Sequence, residues 1–512
     1  MRNPFASSAD EAAPISFGSR LTQLADERPE DVGLIFAPAE GDPQNVNWST
    51  LERRSLQLAG LLAELGVGPD STVAIGLPNS PEHFYASFAT TKLGACTLPL
   101  RWDLPAWERD RLLEVAKPTV VIADWPDLPV QSVSLAELHA TQTAAATPLP
   151  DRVAMPARAI ASSGSTGHPK IIVSASPGEA VLEEQPRVLT DLIPAPLYHT
   201  NGFALALRAL FNGDRVVVME RFDAARVVDL IERYRVDHVT MVSTMLLRIA
   251  RLPGIETRDF SSLEFVLQGG APCPAWLVRK WIELLSPQRF IMSYGSTEQV
   301  GVVMIDGEHW LERPGSVGLP IDTELRILDD AGREQPPGEI GEIYMRSLLM
   351  EGPSFEYRGA DPAKSTDDGL ICVGDLGWVD EEGYLFIADR RTDMIVSGGA
   401  NIYPAEIEAA LTEHPDVVDA VVVGLPDPEW GRRVAAVLQL RRPGCVSEDA
   451  LHAHCRERLA AYKVPKVYDI VERLPRSESG KLNRNSVAAE CEARLSAAVP
   501  APGPDPIPRR DP

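Results

Sequence analysis

The stretch with the richest local chemistry in this chain is Ala161-Ser162-Ser163-Gly164-Ser165-Thr166-Gly167-His168-Pro169-Lys170. Gly164 and Gly167 let backbone approach a bound group closely. Ser162, Ser163, Ser165 and Thr166 carry hydroxyl donors, and Lys170 supplies positive charge. That set suits a phosphate. Its spacing is not that of a P-loop, which places four residues between the first glycine and Gly-Lys-Ser/Thr. By itself such a stretch is more often a plain solvent loop. No Gly-x-Ser-x-Gly elbow of a Ser-His-Asp hydrolase is present. His452, His454 and Cys455 lie close together, but structural zinc normally takes four ligands. No second cluster completes the set, so these three read as part of a polar helix face.

The elements that must hold such a loop alternate in type. Apolar runs of strand length include Thr72-Val73-Ala74-Ile75-Gly76-Leu77, Thr119-Val120-Val121-Ile122-Ala123, Arg215-Val216-Val217-Val218-Met219 and His238-Val239-Thr240-Met241-Val242. Helical periodicity lies between them, as over 50–65 and 224–234. The alternation predicts an α/β protein with parallel strands and covering helices. The loop itself follows an apolar run over 153–160. Over 324–346 short strands with Gly and Pro turns predict a small β subdomain. After Asp389-Arg390-Arg391-Thr392-Asp393 comes a segment of small-domain size. The expected organisation is a large N-terminal domain over 1–391 and a small C-terminal domain over 392–496. A Pro-, Ala- and Gly-rich tail over 497–512 is expected to be disordered.

The 512 residues are 44% hydrophobic and 24% charged, enough for sizeable cores in more than one domain. A net charge of −24 argues against nucleic acid or an anionic membrane as a general partner, while leaving local phosphate sites open. The six cysteines include no C-x-x-C pair, which fits a reduced, cytoplasmic protein. Residues 1–14 lack a basic region followed by an apolar run, so no signal peptide is expected. No apolar stretch approaches the roughly 20 residues of a membrane span.

Further segments, in order, are Pro196-Leu197-Tyr198-His199-Thr200-Asn201-Gly202-Phe203, Gln268-Gly269-Gly270-Ala271-Pro272 and Ser293-Tyr294-Gly295-Ser296-Thr297-Glu298. Gly374-Asp375-Leu376-Gly377, the 389–393 junction and Ser397-Gly398-Gly399-Ala400-Asn401-Ile402-Tyr403-Pro404 follow. Last comes Pro475-Arg476-Ser477-Glu478-Ser479-Gly480-Lys481. Together and in this order they resemble the AMP-forming acyl-CoA synthetases, adenylation domains and luciferases, along nearly the whole chain. The resemblance implies stacked α/β subdomains plus a β subdomain in the large domain, and a small mobile α+β domain after it. It also implies an acid–thiol ligase that uses ATP, Mg²⁺ and coenzyme A through an acyl-AMP intermediate.

Roles follow from the resemblance position by position. The 162–167 loop and Lys170 would hold phosphate. Tyr294 would stack on adenine beside the backbone of Gly269, Gly270, Ala271 and Pro272, with Gly295 adjoining. Thr297 would hydrogen-bond the α-phosphate. Glu298, with Thr166, would hold Mg²⁺, which prefers oxygen ligands. Asp375 would accept hydrogen bonds from the ribose hydroxyls, assisted by Arg390. Lys481 would offset the repulsion between carboxylate and α-phosphate. His199 would line the acyl pocket and not act as general base, because a carboxylic acid is already ionised near pH 7. Thr392 takes the hinge position, where Asp or Lys is more usual. In the family the small domain rotates after adenylation, withdrawing Lys481 and bringing the Gly398-Gly399 loop in to form the pantetheine tunnel. Trp430 would contact coenzyme A, with Lys463 and Lys466 candidates for its phosphates.

Residues 197–203 hold no Asp or Glu to pair with a substrate ammonium, so an α-amino acid is not expected. The stretches over 307–318 and 164–172 look like the branch that activates bile acids, which implies a bulky, apolar, terpenoid or steroid-like acid. After Lys170 the chain departs from its relatives. Ile171-Ile172-Val173 runs into a Pro- and Glu-rich segment over 177–186, expected to be weakly helical. That departure leaves open an enzyme specialised for CoA transfer onto a preformed acyl-adenylate. A carrier protein as acceptor, a luciferase-like oxygenase, a non-catalytic binding protein and a homodimer are open as well.

Overall fold

The computed structural model describes residues 13–162, 170–183, 185–397, 399–476 and 482–498. Their contacts divide into two compact units, one ending at Ile387 and the other beginning at Ala388. Together they give a mixed α/β fold with a large N-terminal part and a small C-terminal part.

The first unit is built on a long sheet. Val32–Ala37, Arg215–Met219, Thr190–Ile193, His238–Met241, Phe265–Gln268 and Phe290–Gly295 lie side by side and parallel. Val216 to Met219 are all buried, as expected of a parallel strand covered on both faces. Thr190–Ile193 has Arg215–Met219 on one side and His238–Met241 on the other, so the strand order reverses around it. Open α/β sheets bind ligands beyond the C-terminal ends of their strands at such a switch point. Beyond Phe290–Gly295 the pairings turn antiparallel, first with Val302–Asp306 and then with Ser316–Ile321. The β region expected over 324–346 is the far end of this same sheet, through Leu385–Arg390, Ile371–Val379, Gly341–Ser347 and Thr323–Leu328.

A second, wholly parallel sheet orders Cys96–Pro99, Thr72–Gly76, Val120–Ala123 and Ser132–Val133. Helix Pro81–Lys92 belongs to both sheets. Phe84, Tyr85 and Phe88 share a core with Leu34 and Val216, while Ala86 and Ala89 share another with Val73 and Ile75. Local signals start the helix: Ser80 Oγ accepts the His83 N–H, and Pro81 occupies the first turn, where its missing N–H costs nothing. Burial on all sides explains why it shows no amphipathic stripe in the sequence. A third, antiparallel sheet orders Phe355–Arg358, Lys170–Ser174 and Ala159–Ser162.

The second unit pairs Val417–Asp427 with Gly431–Leu440 antiparallel, and Gly431–Leu440 with Val467–Val471 parallel. Helices Pro404–Thr412 and Glu448–Arg456 pack on one face through Ile407, Leu411, Leu451 and Cys455. Val487 and Cys491 of Arg484–Ala498 pack with Val421, Val423 and Val437 in a separate core.

Two expectations change. The 177–186 segment is not helical in its described residues. Glu179–Ala180 is a short strand antiparallel to Ile15–Ser16, and Phe17 N–H donates to the Gly178 carbonyl. The strand pairing with Ile15–Ser16 overrides the helix-forming types of Glu179, Ala180 and Leu182. His452, His454 and Cys455 do not form one polar face. Cys455 is in the core, and His454 Nε2 lies 2.8 Å from the Ala410 carbonyl, where only an N–H can satisfy it.

Candidate active site

Three loops that follow parallel strands of the long sheet, and a fourth between the antiparallel strands Ala159–Ser162 and Lys170–Ser174, carry the chemistry expected from the sequence. The first follows Phe265–Gln268. Gly270 has φ +79°, and a Cβ at Gly269 would lie 2.7 Å from Ser293 Oγ, so both positions need glycine. The loop is pinned from below. Buried Gln268 donates from Nε2 to the Ala271 carbonyl at 2.7 Å and to Ser243 Oγ at 3.2 Å, and Ser243 Oγ donates to the Pro272 carbonyl at 2.6 Å. Burial pushes the thiol of neighbouring Cys273 up to about 12.

The second loop continues Phe290–Gly295. The Tyr294 hydroxyl donates to Asp375 Oδ2 at 2.7 Å, and Asp375 is buried on Ile371–Val379. Beyond it, Glu298 is 7% exposed and crowded. The Tyr357 hydroxyl donates to Glu298 Oε1 at 2.6 Å, the Lys170 ammonium stands 3.4 Å from the same oxygen, and Ser354 Oγ donates to the Glu298 carbonyl at 2.8 Å. The next residue, Gln299, sits at φ +55°, and Ser174 Oγ donates to its Oε1 at 3.2 Å.

The third loop follows Thr190–Ile193 at the switch point and leads into helix Thr200–Asn212, whose N-cap is His199. The His199 and Tyr198 rings are 4.5 Å apart. A Cβ at Gly202 would fall 2.2 Å from the Pro196 carbonyl oxygen, so the turn closes only around glycine. Asn79 holds the loop. Its Nδ2 donates to the carbonyls of Ala195 (3.0 Å) and Met219 (2.8 Å), and its Oδ1 accepts the Leu197 N–H at 2.8 Å. His83 is buried behind, and desolvation lowers it to about 4, so it stays neutral near pH 7.

The fourth loop is the hydroxyl- and glycine-rich one. Only its flanks, Ser162 and Lys170, are described; Ser163, Gly164, Ser165, Thr166 and Gly167 lie outside the described residues, as do Gly398 and Lys481. Thr200 Oγ1 and Ser296 Oγ are buried with no hydrogen-bond partner among the described residues. Hydroxyls left so beside a glycine-lined backbone suit an added polar group such as a phosphate.

The second unit is organised by itself. Asp389 is buried and accepts the N–H groups of Arg390 (2.7 Å) and of Ala405 (3.0 Å), in the first turn of Pro404–Thr412. Burial raises its carboxyl to about 6. Arg390 is exposed, Thr392 Oγ1 donates to Asp393 at 3.4 Å, and Gly399 has φ +84°. Trp430 is 43% exposed, with the Lys466 ammonium 4.7 Å from its ring; Lys463 pairs with Glu406 at 2.6 Å.

Asn79, Ser243, Ser354 and Tyr357 were not singled out from the sequence. Asn79 sits in Leu77-Pro78-Asn79-Ser80-Pro81, which reads only as a turn before a helix. Nothing near Tyr357 marks it as a partner of Glu298.

The sequence profile of the AMP-binding enzymes matches residues 21–352, and that of the AMP-binding enzyme C-terminal domain matches residues 406–481. The 2-succinylbenzoate–CoA ligase of Bacillus licheniformis is 32% identical over 91% of this chain and 98% of its own. The feruloyl-CoA synthase of an Amycolatopsis species is 34% identical over 86% and 93%. Among solved structures, o-succinylbenzoate CoA synthetase from Bacillus subtilis superposes with a TM-score of 0.78 in two forms. With its acyl-adenylate intermediate it is 31% identical over 93% of this chain and 98% of its own; with ATP and magnesium ion it is 30% identical over 92% and 99%.

Proposed function

The chain belongs to the AMP-binding enzyme family, and from that premise we propose that it joins an aromatic carboxylic acid to coenzyme A. The enzyme class is that of AMP-forming acid–thiol ligases: ATP and an acid give acyl-AMP and pyrophosphate, and CoA then displaces AMP to give a thioester. One observation carries the assignment of this site. The 269–272 backbone, Tyr294 and Glu298 follow the ends of two adjacent parallel strands, and Asp375 meets Tyr294 from the antiparallel extension of the same sheet.

In this reading Tyr294 and the 269–272 backbone take adenine, Asp375 and Arg390 the ribose, and Thr297 with the 162–167 loop and Lys170 the phosphates. Mg²⁺, when bound, supplies positive charge to the phosphates. Glu298 offers it a hard oxygen, with Thr166 beside it. Among the described residues no three His, Cys, Asp or Glu side chains gather as a metal cage, so the remaining ligands would be phosphate oxygens and water. Lys481 places a cation between carboxylate and α-phosphate. For the second step, a hinge over 389–393 brings the 398–399 loop toward the thioester, and Trp430 with Lys463 and Lys466 meets CoA. The hinge would separate a large domain over 1–391 from a small one over 392–496.

The acid is argued from two sides. Both relatives above are named for aromatic acids. In this chain the 197–203 loop offers rings, those of Tyr198 and His199, and no carboxylate for an ammonium. A polycyclic, terpenoid or steroid-like acid is the wider alternative within the same apolar class.

The test separates the half-reactions. Acid-dependent exchange of labelled pyrophosphate into ATP is measured beside CoA-thioester formation over benzoate-, cinnamate- and steroid-type acids, with acetate and amino acids in the same panel. Exchange and thioester with an aromatic acid support the reading. Preference for acetate or an amino acid overturns the substrate class. Thioester from a synthetic acyl-adenylate, without exchange for any acid, points to an enzyme confined to the second step.

A further inference from the structure

Glu298 is not held by its own loop. Its carboxylate is held by the antiparallel sheet beside it, and the register of that sheet decides how. Phe355–Arg358 pairs with Lys170–Ser174 so that Tyr357 stands opposite Ile172. Side chains two apart on a strand share a face, so Lys170 and Tyr357 project to the same side. There the Lys170 ammonium lies 3.6 Å from the centre of the Tyr357 ring, a cation–π distance. The ring hydroxyl reaches past it to donate to Glu298 Oε1 at 2.6 Å, the oxygen that Lys170 approaches to 3.4 Å. Three residues earlier, buried Ser354 donates to the Glu298 carbonyl. One four-residue stretch thus holds Glu298 by main chain and side chain together. A one-residue slip in register would turn Tyr357 to the opposite face and lose both contacts.

Resting on the ligase reading above, we propose that Tyr357 is a positioning residue: its hydroxyl fixes the Glu298 carboxylate for Mg²⁺–ATP, and its ring seats the lysine that closes the phosphate loop. In this role Tyr357 need touch neither metal nor nucleotide. It acts by choosing the rotamer of one residue and the resting place of another. The direction of the hydrogen bond matters. A phenol that donates to Oε1 occupies one acceptor site of that oxygen and orients the carboxylate plane, whereas a freely turning carboxylate would give up rotamer freedom on binding a cation.

The test is calorimetric ATP binding across a Mg²⁺ series, with kcat and the ATP KM measured alongside, for wild type, Tyr357→Phe, Glu298→Gln and the double variant. A hydrogen bond to a charged group is worth roughly 1.5–3 kcal/mol, so Tyr357→Phe should need about tenfold or more Mg²⁺ for half-maximal ATP binding. Its kcat should return toward wild type as Mg²⁺ is raised, with the melting curve unchanged. In the Glu298→Gln background the same substitution should change nothing further. A Tyr357→Phe enzyme with wild-type Mg²⁺ dependence overturns the proposal. So does a loss of the same size with Glu298 already replaced, which would mean that the hydroxyl does not act through the Glu298 carboxylate. If wild type itself binds ATP without regard to Mg²⁺, the ligase reading falls first, and that outcome is distinguishable from the other two.

Discussion

The Tyr294 hydroxyl donates a 2.7 Å hydrogen bond to Asp375 Oδ2, joining a parallel strand of the sheet to its antiparallel extension. The residue proposed to stack on adenine thereby aims the residue proposed for the ribose. Tyr294→Phe keeps the ring and removes only the aim. A hydrogen bond to a charged group is worth roughly 1.5–3 kcal/mol, about tenfold or more in affinity. The expected result is an ATP KM raised about tenfold or more, with kcat and the acid KM near wild type. Steady-state kinetics with each substrate varied in turn checks it.

Asn79 ties the switch-point loop to two strand ends through three hydrogen bonds. Asn79→Ala leaves the Ala195 and Met219 carbonyls and the Leu197 N–H without that partner in a buried place. Each unsatisfied group costs about 1–3 kcal/mol unless water replaces it. We expect a loss of about 2–4 kcal/mol in denaturant stability. We also expect a rise in the acid KM larger than that in the ATP KM, because the loop carries Tyr198 and His199.

Asp214 is 3% exposed and accepts the Leu189 N–H at 2.9 Å. Desolvation is the main cause that lifts its carboxyl from 3.8 to about 6; Asp191 adds to the rise, while the Leu189 N–H, Gln185 and His238 oppose it. The folded chain therefore keeps this proton to higher pH than the unfolded chain does. Its stabilisation is complete below about pH 4 and is lost as pH rises through about 6. Asp214→Asn cannot lose a proton and can still accept from Leu189. Relative to wild type it should gain up to about 3 kcal/mol between pH 4 and pH 7. Guanidinium midpoints at the two pH values measure the difference; a constant offset would contradict the assignment.

Trp430 stands on the turn between Val417–Asp427 and Gly431–Leu440, where Asp427 Oδ1 accepts the N–H groups of Glu429 and Trp430 at 3.0 Å. Those bonds fix the turn, leaving the indole outside with Lys466 over it. If this pair meets CoA, Trp430→Ala should raise the CoA KM about threefold to tenfold, the range of an exposed to partly buried cation–π contact. Pyrophosphate exchange, which needs no CoA, should not change.

The frame was legible wherever a strand was buried on both faces or a helix had one wet side. Helix Ala224–Tyr234 has the boundaries expected for it: Asp223 caps it, Arg235 ends it in the left-handed region, and Val227, Val228, Leu230 and Ile231 make a single inward stripe. Strand Arg215–Met219 reads as an unbroken apolar run for the same physical reason. Short-range signals failed where burial came from elsewhere in the chain. The 177–186 segment was read from its composition, but a strand 160 or so residues earlier captured it. The motif residues of the site announced themselves by type. The residues that hold them did not, because Asn79 matters through partners 116 or more residues away and Tyr357 through a carboxylate 59 residues away and a sheet register. Ser243 is nearer in sequence to its loop, yet a lone serine at a helix start looks like any other cap.

The pairing of Val32–Ala37 with Arg215–Met219 has a consequence for the birth of the protein. Gln44–Asn47 can cover one edge of Val32–Ala37 almost at once, since a short hairpin joins them. The other edge has no native neighbour until residue 219 has left the ribosome. At roughly 5–20 residues per second, that wait lasts on the order of ten seconds or more. Throughout it, Val32-Gly33-Leu34-Ile35-Phe36-Ala37 presents an apolar strand edge to any other nascent chain. The Thr72–Gly76 sheet, whose strands all lie between residues 72 and 133, can close much earlier. Helix Pro81–Lys92, lying against both sheets, can then offer the waiting strand its first apolar cover. Soluble yield should therefore depend on how fast the first 219 residues are translated, and on chaperone capacity during that interval.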